Sequence, residues 1–219
     1  MITLDHVSKS YRTKTGRRVV LDDVNVEFPT GANIGILGTN GTGKSTLVRI
    51  LAGTETPDSG RVRRDVQVSF PMGFTGSFQG NLSARENITF IARIYGMPIH
   101  ETIEFVRDFA ELGDYFDMPV RTYSAGMRAR LSFGVSLAID FDVYLIDELT
   151  EVGDARFRTK ARAAFRARVD QSSVIIVSHS YHTIREYCDI AAVMNQGAIT
   201  LFPNLEDAVV HYEQIRTTQ

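Results

Sequence analysis

Nine consecutive residues, Gly38-Thr39-Asn40-Gly41-Thr42-Gly43-Lys44-Ser45-Thr46, have types and spacing that fit the pattern G-x-x-x-x-G-K-[ST]. Its glycines let the backbone curl until consecutive N–H groups point inward, and a helix starting behind them adds partial positive charge. An anion cradle results. Lys44 is spaced to reach the outer phosphates of a nucleotide, and the Ser45 hydroxyl to complete the oxygen shell of a Mg²⁺ ion. Two acids, Asp147 and Glu148, close the apolar run Val143-Tyr144-Leu145-Ile146. There Asp147 would hold Mg²⁺, directly or through water, and Glu148 would polarise an attacking water. His179 follows a further apolar run. Such a histidine is often a satisfied structural residue, but beside a γ-phosphate it would stabilise developing charge.

These groups need a scaffold, and the pattern of apolar residues supplies one. Ile34-Gly35-Ile36-Leu37 reads as a buried strand entering the glycine-rich loop, and Leu47-Val48-Arg49-Ile50-Leu51-Ala52 as a helix leaving it. Residues 142–147 and 173–178 read as two more buried strands, a helix lies between them from about Asp154 to Val169, and another runs through Cys188. Asn195-Gln196-Gly197 centres a hairpin, and a last helix spans about Leu205 to Ile215. This order predicts an α/β fold, a mostly parallel sheet with helices on both faces. Ligands of such sheets bind at the carboxyl ends of strands, which places Asp147 and Glu148 near the loop.

The first strands differ. Ile2 to Val7 and Val19 to Phe28 alternate apolar with polar residues and predict an antiparallel subdomain, with another strand pair from Arg61 to Phe70. Tyr11, between the first two, is either a core aromatic or a stacking platform for a base. Residues 72–124 predict a helical subdomain inserted in a single domain spanning 1–219. It begins with a glycine- and phenylalanine-rich loop from Pro71 to Asn81, whose apolar side chains suit contact with another chain. Ser83-Ala84-Arg85-Glu86 is a capping box, opening a helix with Ile88, Ile91 and Tyr95 on one face. A second helix brings Ile103, Val106 and Phe109 together, and a third runs from Ser124 to Ile139. Both apolar stripes read as core. The cations Arg156, Arg158, Lys160, Arg162, Arg166 and Arg168 read as a solvated helix face, with an anionic partner as the alternative.

Composition narrows the function classes. The 219 residues are 43% hydrophobic and 23% charged with net charge −2, an ordinary globular balance without the basic excess of a nucleic-acid binder. Cys188 is the only cysteine, so neither an internal disulfide nor a cysteine zinc cluster is expected. The first residues lack the order of a signal peptide, and no apolar run approaches the length of about 20 needed to cross a bilayer.

Taken together, these motifs resemble the nucleotide-binding subunits of ATP-binding-cassette (ABC) transporters, over nearly the whole chain. The resemblance implies a P-loop NTPase fold of ABC type, with Gly38–Thr46 as Walker A and Val143–Glu148 as Walker B. It implies that Tyr11 stacks on adenine, that Asp154 is the aspartate of the D-loop and that His179 is the switch histidine. Tyr123-Ser124-Ala125-Gly126-Met127 is similar to the signature Leu-Ser-Gly-Gly-Gln, keeping Ser124 and Gly126 but replacing a glycine with Ala125 and the glutamine with Met127. Gln79 stands in the region of the Q-loop, closer to Glu86 and Asn87 than is usual.

As to function, the resemblance implies hydrolysis of ATP with Mg²⁺ by a homodimer, in which Ser124 and Gly126 of one chain close over the nucleotide held by Lys44 of the other. It also implies a separate transmembrane permease, in two copies, with further export-complex proteins, at the cytoplasmic face of a bacterial inner membrane. The signature region, the stretch from Glu151 to Phe157 and the loop from Gly73 to Gly80 resemble the polysaccharide-export branch, above all the capsular polysaccharide subunits of Gram-negative bacteria. Exporters of O-antigen, teichoic acid or other glycans remain the alternative, and many O-antigen subunits carry an added carbohydrate-binding domain that is not expected in a chain ending at Gln219. A soluble ABC ATPase without a transport role is a more distant one, expected to carry two cassettes or a long coiled coil.

Overall fold

The computed structural model describes residues 1–14, 16–72, 78–147 and 155–218. The chain divides into two compact units, one of Met1–Pro71, Phe141–Leu149 and Gln171–Gln219, the other of Met72–Asp140 and Thr150–Asp170.

In the first unit, β1 (Ile2–Thr13) pairs antiparallel with β2 (Gly16–Phe28) along one edge and with β4 (Ser59–Arg64) along the other. A second sheet has the order β5 (Val143–Asp147), β6 (Ser173–Ser178), β3 (Ile34–Leu37), β7 (Ile190–Asn195) and β8 (Ala198–Phe202). Its first four strands are parallel, and β8 is antiparallel. Every residue of β3 and β6 is buried, as expected of parallel strands covered on both faces. Between the sheets lies α1 (Lys44–Ala52), whose Leu47, Val48, Ile50 and Leu51 share one apolar core with Ile2, Leu21 and Phe28 of the first sheet and Ile34, Leu145 and Ile175 of the second.

The opposite face of β3 is shaped by a glycine. A Cβ on Gly35 would lie 2.2 Å from Ile184 Cγ2 of α6 (Tyr181–Tyr187), so the helix rests directly on strand backbone. Gly35→Ala is expected to lower stability by about 1–3 kcal/mol through overpacking, read as a lower denaturant midpoint with unchanged slope. At the end of α6, burial and then the Asp189 charge push the Cys188 thiol up to about 12. The folded protein should therefore resist alkylation at pH 8 and react once unfolded. The unfolded thiol ionises near pH 9, so the stability this burial preserves is lost as pH climbs from about 9 to about 12.

One turn follows local chemistry, and one segment does not. Gln196 (φ 46°) and Gly197 (φ 85°) form the two-residue turn between β7 and β8, a conformation with both φ positive that matches strand twist. The sequence expectation of a strand pair from Arg61 to Phe70 is corrected. Only β4 joins the first sheet, and the chain then crosses to β5, where Val68 forms a single bridge with Val143. Its backbone partners explain the switch: Gln67 N–H donates to the Asp142 carboxylate at 2.8 Å, and Leu145 N–H donates to Ser69 Oγ at 2.8 Å.

The second unit contains α2 (Ala84–Tyr95), α3 (Ile99–Ala110), α4 (Ala125–Ala138) and α5 (Ala155–Val169), with short 3-10 turns at Gly113–Asp117 and Val120–Thr122. Ser83 and Glu86 form the expected reciprocal capping box. The unit's core is aromatic: buried Phe109 stacks on buried Phe133 and on the exposed Phe105, each at a centroid distance of 6.0 Å, and Phe157 of α5 meets Phe109 edge-on at 5.6 Å. The apolar face expected along α2 is buried only in part: Ile88 is covered, Ile91 is half-buried and Tyr95 (39%) is exposed, as are Phe90 (63%) and Ile94 (61%) outside that face.

The cationic run on α5 is likewise divided. Arg156, Arg162 and Arg166 are exposed. Lys160 donates to the carbonyls of Asp108 (2.9 Å) and Phe109 (3.1 Å) in the last turn of α3, and Arg168 to that of Leu137 (2.6 Å) in the last turn of α4. Both cations thus meet the negative ends of helix dipoles and satisfy terminal carbonyls.

Candidate nucleotide site

The phosphate loop begins where β3 ends and continues into α1, so its course is set by a strand buried on both sides and a helix buried between sheets. Gly41 (φ 83°) and Gly43 (φ 105°) adopt the left-handed conformation that lets the loop fold on itself. A Cβ on Gly43 would lie 2.1 Å from Val20 Cγ1, so the cradle has room for hydrogen alone at that point. Thr42 N–H and Oγ1 both donate to the Thr39 carbonyl, at 3.4 and 2.9 Å. Lys44 Nζ donates to the carbonyls of Gly38 (2.7 Å) and Thr39 (2.9 Å), which holds the ammonium over the mouth of the loop it belongs to.

A cavity of about 460 Å³ opens on this loop. Asn40, Gly41, Gly43, Lys44, Ser45 and Thr46 line it, together with Asp147 and Val177 from the carboxyl ends of β5 and β6 and Tyr11 from β1. Inward N–H groups, an ammonium and the start of α1 fit a phosphate chain. The oxygen donors Ser45 and Asp147 fit Mg²⁺, a hard ion that takes few protein ligands and completes its shell with phosphate and water. No group of three or more histidine, cysteine or carboxylate side chains suited to a metal occurs among the described residues.

Thr13, Arg18 and Val20 also line the cavity and were not singled out in the sequence. Arg18 stands directly across from Tyr11 in the β1–β2 register and donates to the Gly41 carbonyl. Only the exact hairpin register, set by Gly16 pairing with Thr13, reveals that placement.

The other expected site residues are placed as follows. His179 follows β6, an interior strand beside β3, at the carboxyl end of the sheet from which the loop springs. Its side chain is exposed and is not among those lining the cavity, and its carbonyl accepts from the Tyr212 hydroxyl at 3.3 Å. In the second unit, Ser124 caps α4, its Oγ accepting from Met127 N–H at 3.2 Å. Ser124 and Gly126 line a separate cavity of about 410 Å³ with Tyr115, Met127 and Arg130. Gln79, in the same unit, is exposed, with its backbone N–H bonded to Asn87 Oδ1 at 2.8 Å. Glu148, Asp154 and the loop residues 73–77 lie outside the described residues.

The profile of the ABC transporter family matches residues 21–151. The chain belongs to the ABC transporter family. Within this ABC family, the polysialic acid transport ATP-binding protein KpsT of Escherichia coli is 47% identical over 216 residues, covering 97% of this chain and 96% of that protein. The capsule polysaccharide export ATP-binding protein CtrD of Neisseria meningitidis serogroup B is 44% identical over 98% of this chain and 100% of its own. Among solved structures, the ABC cassette MJ0796, a dimer in a post-hydrolysis state bound to ADP and Pi, matches with a TM-score of 0.73 at 20% identity. That match covers 91% of this chain and 96% of the other and shows the shared fold.

Proposed function

We propose that this chain is the ATP-hydrolysing subunit of an ABC transporter that exports a capsular polysaccharide. The observation that carries the ATP-binding part is the single cavity in which Tyr11, the phosphate loop and Asp147 meet. The polysaccharide part rests on the relatives named for polysialic acid transport and capsule export, at 47% and 44% identity over nearly the full chain.

In this reading residues 1–219 act as one ATP-binding domain, with 72–124 as its helical subdomain. Tyr11 takes the adenine, Gly38 to Thr46 the phosphates, and Ser45 and Asp147 hold Mg²⁺, which neutralises charge on the phosphate oxygens when bound. Glu148 orients the attacking water, and His179 stabilises the charge that develops as it attacks. Ser124 and Gly126 of a second copy complete the site, with Asp154 at the contact between the copies and Gln79 as the Q-loop residue. The chain works with a separate transmembrane permease, at the cytoplasmic face of the bacterial inner membrane. No helix among the described residues is long and apolar enough to cross a membrane.

The test is to co-purify the chain with its membrane partner, measure ATP turnover, and score the polymer on the cell surface. Glu148→Gln is expected to stop turnover and surface polymer while ATP binding persists. Continued export by cells carrying only that variant would sink the reading.

A further inference from the structure

Tyr11 lines the nucleotide cavity, and its hydroxyl is held by neighbouring side chains. It donates to Glu55 Oε1 and accepts from Arg49 Nη2 at 3.3 Å. It also lies 3.2 Å from Thr46 Oγ1. With the phenolic proton committed to Glu55, the Thr46 hydroxyl is the donor in that third pair. Arg49 binds the same carboxylate, Nε to Oε2 at 2.8 Å, and Lys9 Nζ lies 3.3 Å from it. The Glu55 side chain is only 17% exposed, which makes each of these contacts count more than at an open surface. Burial pushes the Glu55 carboxyl up, but the Tyr11 hydroxyl, Arg49 and Lys9 outweigh it and hold the carboxyl below its usual range.

We infer that Glu55, fixed by Arg49, is a positioning residue that sets the plane of the Tyr11 ring for base stacking. The inference rests on the reading of Tyr11 as the adenine platform. Tyr11 is near the hairpin end of β1, paired there with Arg18 of β2 and packed in part against the apolar core, and stacking depends on ring offset and separation. The hydroxyl latch ties that ring to α1 and to the turn that follows it. Glu55 does not line the cavity, so it acts on nucleotide through the side chains it holds: Tyr11 directly, with Arg49, which also donates to Thr46 Oγ1 at 3.3 Å, as the competing route.

Two ligands separate the base from the phosphates: ATP with Mg²⁺, and inorganic tripolyphosphate with Mg²⁺, each titrated calorimetrically into the purified chain. Tyr11→Phe keeps the ring and removes the latch, and Glu55→Gln keeps the shape while removing the charge. Each is expected to weaken ATP binding on the order of tenfold, the effect of losing a charge-assisted hydrogen bond, while tripolyphosphate binding is unchanged. The double variant should be no weaker than Tyr11→Phe alone, because both changes break the same link. Tyr11→Ala, which also removes stacking, should lose about 10- to 100-fold.

Three results overturn the inference, and they differ in what else they remove. If Tyr11→Ala weakens ATP binding but Tyr11→Phe and Glu55→Gln do not, the platform stands and the latch falls. If Tyr11→Ala also leaves ATP binding unchanged, the platform reading falls with it. If tripolyphosphate weakens in step with ATP, Glu55 acts through Thr46 on the phosphate loop rather than on the ring.

Discussion

Replacing Lys44 by alanine is expected to reduce ATP turnover on the order of 1000-fold, the scale of losing a preorganised charge at a transferring group. The expectation follows from the place of Nζ, held by the Gly38 and Thr39 carbonyls at the mouth of the loop and lining the cavity with Ser45 and Asp147. Alanine removes the ammonium but leaves Gly41, Gly43 and the start of α1 in their present conformation, so the protein should still fold. Lys44→Arg keeps the charge on a planar head that does not match the two carbonyls, and it should rescue little. Steady-state turnover with and without the membrane partner, beside thermal unfolding, separates lost chemistry from lost structure. Turnover within about tenfold of the unmodified protein would show that Lys44 does not serve the phosphates.

The second large effect is on stability. Phe157→Ala is expected to cost about 3–5 kcal/mol, the usual range for deleting a buried aromatic ring. Phe157 is 1% exposed, meets Phe109 edge-on at 5.6 Å and has the Arg130 guanidinium 4.6 Å above its face. Its removal opens a cavity in a core built from few, large side chains, and it leaves a cation facing that void. Chemical denaturation should show an early transition, and Phe157→Leu, which refills part of the volume, should recover some of the loss. A midpoint unchanged by Phe157→Ala would mean that α5 contributes little to the second unit.

Much of the fold was legible because its signals are local. The loop from Gly38 to Thr46 declares its strand and helix within a few residues on either side, Ser83 and Glu86 announce α2, and the alternation of β1 and β2 marks them as half-buried. The segment after β4 was misread because its partners, Asp142 and Val143, lie more than 70 residues away. Apolar periodicity says that Val66 and Val68 are extended, not which sheet accepts them. Lys160 and Arg168 read as solvated for the same reason, since the helix ends they meet are known only once α3, α4 and α5 are packed.

The candidate site divides along that line too. Lys44, Ser45 and Asp147 could be named from motifs, and they line one cavity. Arg18 could not, because its position depends on the register of a hairpin rather than on any local pattern. The hydroxyl of Tyr11 is a similar case: its ring fits either a core or a platform from spacing alone, and only the fold brings Glu55 and Arg49 to its other end.

The aromatic stack of the second unit sets an order of events during synthesis. Phe109 and Phe133 leave the ribosome well before Phe157, and β5 is made in between. At roughly 5–20 residues per second, the nascent chain presents an uncovered phenylalanine face for on the order of several seconds. During that interval the unit depends on whatever else can shield those rings, so a slower-translated stretch between α4 and α5 would lengthen its exposure to aggregation.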